Sequence, residues 1–483
     1  MHTMADDKHA APDGLFSGTI FEGGFSGGHA ESHEWEGWGH YIEHNTKFGH
    51  FIFEYLAEFG VSRALSLWIV FIGLWLVLSV EIRDLPLFTL EWTIGTAPVW
   101  LPIVLLISSW FIWIWYIQSL FISGRDPVLL DIKIPREITK SPRAMELALV
   151  SFYATSGESS FIDRIWEGKV RVWYSFEYAS FGGEVHMYVW CWKTHRRAVE
   201  AALYAQFPEI EIHQTEDYAA KFKFDPHKHK VFINEHVYAN SDVYPLKTYI
   251  EFELDKDPDE EFKVDPMAQG FEYLSSLLPG EQAWIQVVFR ASGKYGSMFK
   301  PKNKAKEWLE RVKKEVANVR KLASQSDVDP GKESFPRPTW RQTEQMRIIE
   351  RQMGKIPFDV AVCGFYIADQ SVYNGAVANG TRWFWKPINN PGYLNALEPT
   401  RGHNAFDYPW QDFMKIRDGI MVRRYIDAYR RRCPFYSPWV MEYQTMTNEV
   451  LATMFHFPSS SVVTPGLERI ASTKAEPPSN LPK

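Results

Sequence analysis

Two long runs without a charged side chain dominate the hydrophobic pattern: Ala64 to Val80 (ALSLWIVFIGLWLVLSV) and Ala97 to Ile122 (APVWLPIVLLISSWFIWIWYIQSLFI). A hydrocarbon core about 30 Å thick takes roughly 17 to 25 apolar residues at a rise of about 1.5 Å, and a helix satisfies its own backbone there. Each run is therefore expected to span as a helix, and residues 64–122 to form a two-helix transmembrane hairpin turning between Glu81 and Thr96. That turn holds Arg83 against Glu81, Asp84 and Glu91, whereas Arg125, Lys133, Arg136, Lys140 and Arg143 follow the second run and Lys47 and Arg63 precede the first. The positive-inside rule then places both termini in the cytoplasm.

Beyond the hairpin the pattern switches to shorter periods. From 131 to 218, a helix opening at Pro142 is followed by VRVWYSFEYASF, which sends Val170, Val172, Tyr174, Phe176 and Tyr178 to one side. Gly182-Gly183 predicts a tight turn into EVHMYVWCW, then a helix over Thr194 to Phe207 and a strand over Glu209 to Thr215. This order predicts a ferredoxin-like α+β domain with helices over one face of an antiparallel sheet. A second α+β unit is expected at 248–322, opening on the strand-like YIEFEL, passing a helix near Gln269 to Leu278 and the strand AWIQVVFRA, and ending in a helix from Lys302 to Leu322. A repeated fold is compatible with this order, although no sequence identity between the units supports one. Ser324 to Trp340 reads as a linker. A third α+β unit is expected at 341–457, with a helix from Arg341, the strand FDVAVCGFYIA and a helix from Phe413 to Arg432, and 458–483 reads as an extended tail. The fold class is thus α+β, a transmembrane hairpin followed by ferredoxin-like cytoplasmic domains.

Upstream of the hairpin, residues 1–34 have the glycine, histidine and acid content of a disordered tail. Residues 35–63 carry Phe48, Ile52, Tyr55 and Phe59 at helical spacing, which fits an amphipathic juxtamembrane helix or an extension of the first span. His40 and His44 would share a helix face, but nothing nearby completes a metal ligand set. The N-terminus lacks the basic and apolar regions of a cleaved signal peptide.

Composition narrows the chemistry. Mean hydropathy is −0.26 despite the apolar runs, so the remainder is an ordinary water-soluble chain. A net charge of −7 exerts no global pull on nucleic acid. The three cysteines, Cys191, Cys363 and Cys433, are far apart with no CxxC pair, which argues against a disulfide framework or a structural zinc site. No GxxxxGK[ST] or HExxH occurs and no GxSxG follows a predicted strand as an elbow, so a non-enzymatic protein without a cofactor is expected. The stretch MVRRYIDAYRRRC gathers Arg423, Arg424, Arg430, Arg431 and Arg432 with Tyr425 and Tyr429. Such a run suits contact with nucleic acid or anionic lipid, or a solvated helix face.

The C-terminal segment MTNEVLATMFHFPSSSVVTPGLERIASTKAEPPSNLP resembles the region that precedes the motor domain in conjugation-type ATPases of type IV secretion systems. In that family a helix ending in L-A-x-x-F-H-F-P leads to an extended T-P segment and a P-x-N-L-P exit. Leu451, Ala452, Phe455, His456, Phe457 and Pro458 match the first part, and Thr464, Pro465, Pro477, Pro478, Asn480, Leu481 and Pro482 the second. The resemblance implies a membrane-anchored, non-catalytic accessory component at the bacterial inner membrane, multi-pass and homo-oligomeric. It also implies docking of a separate motor ATPase chain through His456, Phe457, Pro458, Thr464, Pro465, Pro477 and Pro478. The competing expectation is a membrane scaffold or adaptor unrelated to secretion, or a membrane protein with local nucleic-acid binding.

Overall fold

The first element after residue 62 is helix α1 (Arg63–Glu81), and Ile82–Asp84 alone separates it from helix α2 (Leu85–Ser123). The computed structural model describes residues 63–470, apart from 137, 139, 155–157, 159, 257–263, 297–300, 326–337, 401–411, 413–415, 459–461 and 463. The readings of the 1–34 tail and of residues 35–62 therefore lie outside the described residues, as do Pro477, Pro478 and the P-x-N-L-P exit. The predicted turn from Glu81 to Thr96 is helical from Leu85 onward. Pro86 suits a first turn, and the hydroxyls of Thr89, Thr93 and Thr96 fold back onto the carbonyls of Pro86, Thr89 and Trp92, so these polar positions interrupt nothing. Among the described residues α2 is the one helix long and apolar enough to cross a membrane; the shorter apolar stretch Phe71–Glu81 is not. The expected multi-pass pair thus reduces to one spanning candidate.

The rest of the chain is a mixed α+β body built on one ten-stranded sheet. Its first part comprises β1 (Pro127–Pro135), α3 (Pro142–Val150), the short α4 (Phe161–Ile165), β2 (Trp173–Phe181), β3 (Glu184–Trp192), α5 (Arg196–Gln206), β4 (Glu211–Thr215) and the single turn α6 (Tyr218–Lys221). Gly182 and Gly183, at φ of 60° and 95°, make the predicted turn between β2 and β3. Strand neighbours run β4-β1-β3-β2, all antiparallel.

The second part comprises β5 (His229–Tyr238), α7 (Ala268–Ser275), β6 (Glu281–Ala291), β7 (Lys294–Gly296), β8 (Pro301–Asn303), α8 (Lys304–Gln325), α9 (Trp340–Gln352), β9 (Pro357–Asp369), α10 (Gly375–Ala378), α11 (Gly380–Trp383) and β10 (Leu397–Pro399). Its strands run β10-β5-β9-β6, again all antiparallel. The same β-α-β-β-α-β winding thus occurs twice, with the β2–β3 glycine turn replaced by the β7–β8 ribbon, α8 and α9. The two windings join through antiparallel pairing of β2 with β6, from Trp173 opposite Arg290 to Phe181 opposite Gln282. Helix α12 (Ile416–Arg431), β11 (Gln444–Thr447), α13 (Asn448–Met454) and β12 (Arg469–Ile470) follow.

Two sequence expectations are corrected here. The segment YIEFEL (Tyr249–Leu254) is a run of turns, with Tyr249 buried and its hydroxyl donating to Glu146 Oε2 at 2.6 Å. The strand lies upstream, at β5, where Asn234 and His236 are fully buried and hid the apolar alternation. Asn234 finds its partner across the fold, Nδ2 donating to the Thr381 carbonyl at 3.2 Å. Strands from all three expected units share the one sheet.

Helices were expected over one face, yet β2 is buried on both. On one face Phe176 stacks on Phe455 beyond α13 at 4.2 Å and meets Phe152 beyond α3 at 5.8 Å. On the other, Tyr429 of α12 packs 5.4 Å from Trp284 and 4.8 Å from Phe365. A sheet covered on both faces reads as continuous apolar runs, which is why WYSFEYASF carries so little solvent-facing polarity.

Candidate functional site

Three sets of residues bear on function: the basic run, the C-terminal segment and the apolar helix. The amphipathic pattern of α12 turns Tyr425, Ile426 and Tyr429 into the sheet, and the five arginines divide accordingly. Arg432 is fully buried in the left-handed region (φ 48°) just beyond the helix. It donates Nε to Glu177 Oε1 at 2.6 Å and Nη1 to Asp217 Oδ2 at 2.7 Å. Tyr218 also donates to Glu177, at 2.7 Å, and shares a 2.7 Å hydrogen bond with Tyr429. Arg432 is therefore a structural cation, with no free edge for phosphate or lipid. Arg430 is occupied by the Ala219 and Phe222 carbonyls, Arg431 pairs with Asp427 at 2.7 Å, and Arg424 lies over the Trp439 ring at 5.5 Å. Arg423 is exposed. The sequence cluster is thus not one basic surface.

The family-like motif is interior. Thr447 caps α13 by accepting from Val450 N–H, and all of Asn448–Met454 is buried. Glu449 accepts from Arg351 Nη2 at 2.8 Å, Gln352 Nε2 at 2.9 Å and Thr248 Oγ1 at 2.8 Å, with Lys355 Nζ at 3.2 Å. Burial opposes its charge, but Arg351, Thr248 and Lys355 together hold its pKa below the usual value. Motif spacing alone did not single out Glu449, because its partners come from distant segments.

His456 is buried, with Nδ1 3.0 Å from the Thr453 carbonyl and Nε2 3.2 Å from Asp265 Oδ2. Burial disfavours the imidazolium, yet the adjoining Asp265 carboxylate outweighs it and raises the pKa. Phe457 packs on Phe207 at 4.8 Å, and Pro458 is buried as the chain leaves the helix. Thr464 donates to Glu272 Oε1 at 3.2 Å, Pro465 is exposed, and Leu467 is buried where it bridges Val185. Arg469 and Ile470 then pair in parallel with Ile134 and Pro135. Of the proposed docking residues, His456, Phe457 and Pro458 are core, and the tail hugs the first winding as far as Ile470.

Helix α2 is the opposite case. From Pro98 to Ile112 it is apolar and exposed on all sides, Val99 at 70% and Leu106 at 73%. Its last turns root it in the body. Trp113 Nε1 donates to the Ile165 carbonyl at 2.8 Å, Ile117 is buried, and Phe121 meets Trp192 at 6.3 Å beneath the Arg125 guanidinium. At Gly168 (φ +62°) a Cβ would stand 2.4 Å from the Ile117 carbonyl oxygen, so this approach requires glycine.

Among the described residues no three His, Cys, Asp or Glu side chains converge on a metal position. No family model matches the chain, and no curated protein matches it.

Proposed function

We propose that this chain is a membrane-anchored, non-catalytic platform of a translocation machine of the type IV secretion or conjugation kind, holding a motor ATPase at the bacterial inner membrane. The observation that carries the reading is α2, a helix apolar and exposed on all sides from Pro98 to Ile112 whose C-terminal turns are rooted in the body. Such a helix needs a lipid environment, and its rigid root transmits the position of the bilayer to the body. In the finer version of this reading α1 re-enters the same bilayer, so that α1 and α2 form a hairpin with both chain ends cytoplasmic.

Each β-α-β-β-α-β winding, with its β4-β1-β3-β2 or β10-β5-β9-β6 order, supports reading the halves as two ferredoxin-like units fused side by side. The motor would be engaged by the segment that follows Ile470, and the chain would self-associate. The direct test is membrane fractionation of the full chain followed by detergent extraction and co-purification. Recovery of a motor ATPase with the full chain, and its loss when residues 471–483 are removed, is the expected result. Membrane attachment with no ATPase recovered in either form would leave a scaffold unrelated to secretion.

A further inference from the structure

Helix α2 is 39 residues long, about 58 Å at 1.5 Å per residue and so roughly twice the hydrocarbon thickness. Part of it must therefore lie outside the lipid tails, and its contacts say which part. Protein begins to cover it at Trp113 and Ile114, and Ile117 is buried. At the other end Glu91 is the last charge. The charge-free interval from Trp92 to Ile112 measures about 31 Å, which matches the hydrocarbon core. Indole rings mark both of its limits, Trp92 at one and Trp110, Trp113 and Trp115 at the other, as expected of side chains that settle at headgroup level.

This placement has a consequence for α4. Trp166, just past the helix, lies 5.9 Å from Trp113, while Gly168 meets Ile117 one turn further from the span. The order of these contacts puts α4 on the bilayer side of the body. Ile165 points into the body, whereas three apolar side chains are uncovered: Phe161 is 43% exposed, Ile162 62% and Trp166, just past the helix, 72%. The neighbouring charges are matched locally, Lys169 pairing with Asp163 at 2.9 Å and Glu167 at 2.5 Å. A short apolar element at headgroup depth, without a net charge of its own, fits the interfacial zone rather than the tails or bulk water.

We infer that Phe161, Ile162 and Trp166 form an interfacial foot that inserts into the headgroup region beside Trp113 and sets the angle of the body on the membrane. The inference rests on the membrane attachment proposed above, and the occupant of this surface is lipid. The test uses the full chain in vesicles of equimolar phosphatidylcholine and phosphatidylglycerol. An environment-sensitive fluorophore is attached at Ile162→Cys, Leu105→Cys or Lys313→Cys; Cys191, Cys363 and Cys433 are buried and shielded in the native state. Lipids carrying a nitroxide near the headgroup or near the tail end serve as quenchers. Loss of fluorescence at Ile162 chiefly with the shallow nitroxide, at Leu105 chiefly with the deep one, and at Lys313 with neither is the expected result. Quenching at Leu105 with none at Ile162 overturns the foot and leaves the membrane attachment standing. Absence of quenching at Leu105 removes the attachment and the foot with it. A blue-shifted but unquenched Ile162 label identifies a protein occupant, a second copy or a partner, and also overturns the inference. Trp166→Cys repeats the measurement should Ile162→Cys fail to fold.

Discussion

Gln286 donates its side-chain amide to the Glu177 carboxylate at 3.1 Å, and the two residues stand directly opposite each other midway along the β2–β6 pair. The seam between the two windings therefore has a polar centre in a buried sheet. Opposite Glu177 on its other side is Tyr188 of β3, and opposite Gln286 is Cys363 of β9, so the row continues symmetrically into each half. A buried carboxylate is tolerable only when fully paired, and Arg432, Tyr218 and Ser175 complete its shell. Arg432 thereby ties the end of α12 to the junction of the halves.

Removing that cation should be costly. Arg432→Met leaves Glu177 and Asp217 facing each other without neutralisation, and a loss of about 3–5 kcal/mol is expected. The urea midpoint of the detergent-solubilised protein should fall accordingly, with Arg423→Met as a control that changes it little. Equal midpoints for the two variants would mean that the cluster is not fastening the seam.

A second expectation concerns pH. Burial pushes the Glu235 carboxyl up to about 7, Glu442 adds to the rise, and the Tyr425 hydroxyl only partly offsets it. In the unfolded chain it titrates near its ordinary 4.5. The folded state thus holds a proton that the unfolded state has lost, so this contribution to stability is full below 4.5 and is lost as pH rises to about 7. The swing is on the order of 3 kcal/mol. Glu235→Gln should flatten the stability profile in that window and be more stable than the native chain at pH 8. His456, whose pKa is also raised, leaves a decline of the same sign at higher pH. An unchanged profile in the Gln variant would assign the acid-side slope to other groups.

The tail from Thr464 to Ile470 is held by close backbone approach. A Cβ at Gly466 would meet the Gly183 carbonyl oxygen at 1.9 Å, and that obstacle is main chain, so it cannot rotate away. Gly466→Ala should detach this segment from the first winding at a cost of about 1–3 kcal/mol. Limited proteolysis should then cut after Arg469, which the native chain protects by pairing it with Ile134. Deletion of residues 471–483, by contrast, should leave the unfolding midpoint in place.

Topology can be read from two positions. With the body cytoplasmic, a cysteine replacing Thr89 should react with a membrane-impermeant reagent only from the outer side. The hairpin reading adds that a tag at the N-terminus is cytoplasmic, whereas α2 as a lone span would put it outside. Labelling of position 89 from the cytoplasm alone would reject both arrangements.

By itself the sequence determined the local elements: the apolar helix, the Gly182-Gly183 hairpin, the helix from Pro142 and the amphipathic α8 and α12 follow from period, caps and turn residues. It also carried the α+β class. What it could not decide was partnership. YIEFEL alternates like a strand, yet Tyr249 and Glu251 are spent on Glu146 and Arg351, residues roughly one hundred positions away. In β5 the buried Asn234 meets the Thr381 carbonyl and hydroxyl only once α11 arrives. The end of the arginine run looked like a surface because the counter-ions of Arg432, Glu177 and Asp217, lie more than 200 residues upstream. Likewise His456 and Phe457 read as a docking motif until Asp265 and Phe207 closed over them. Periodicity is a property of neighbouring residues, and hydrogen bonds and ion pairs between segments this distant exist only when the two windings are laid edge to edge.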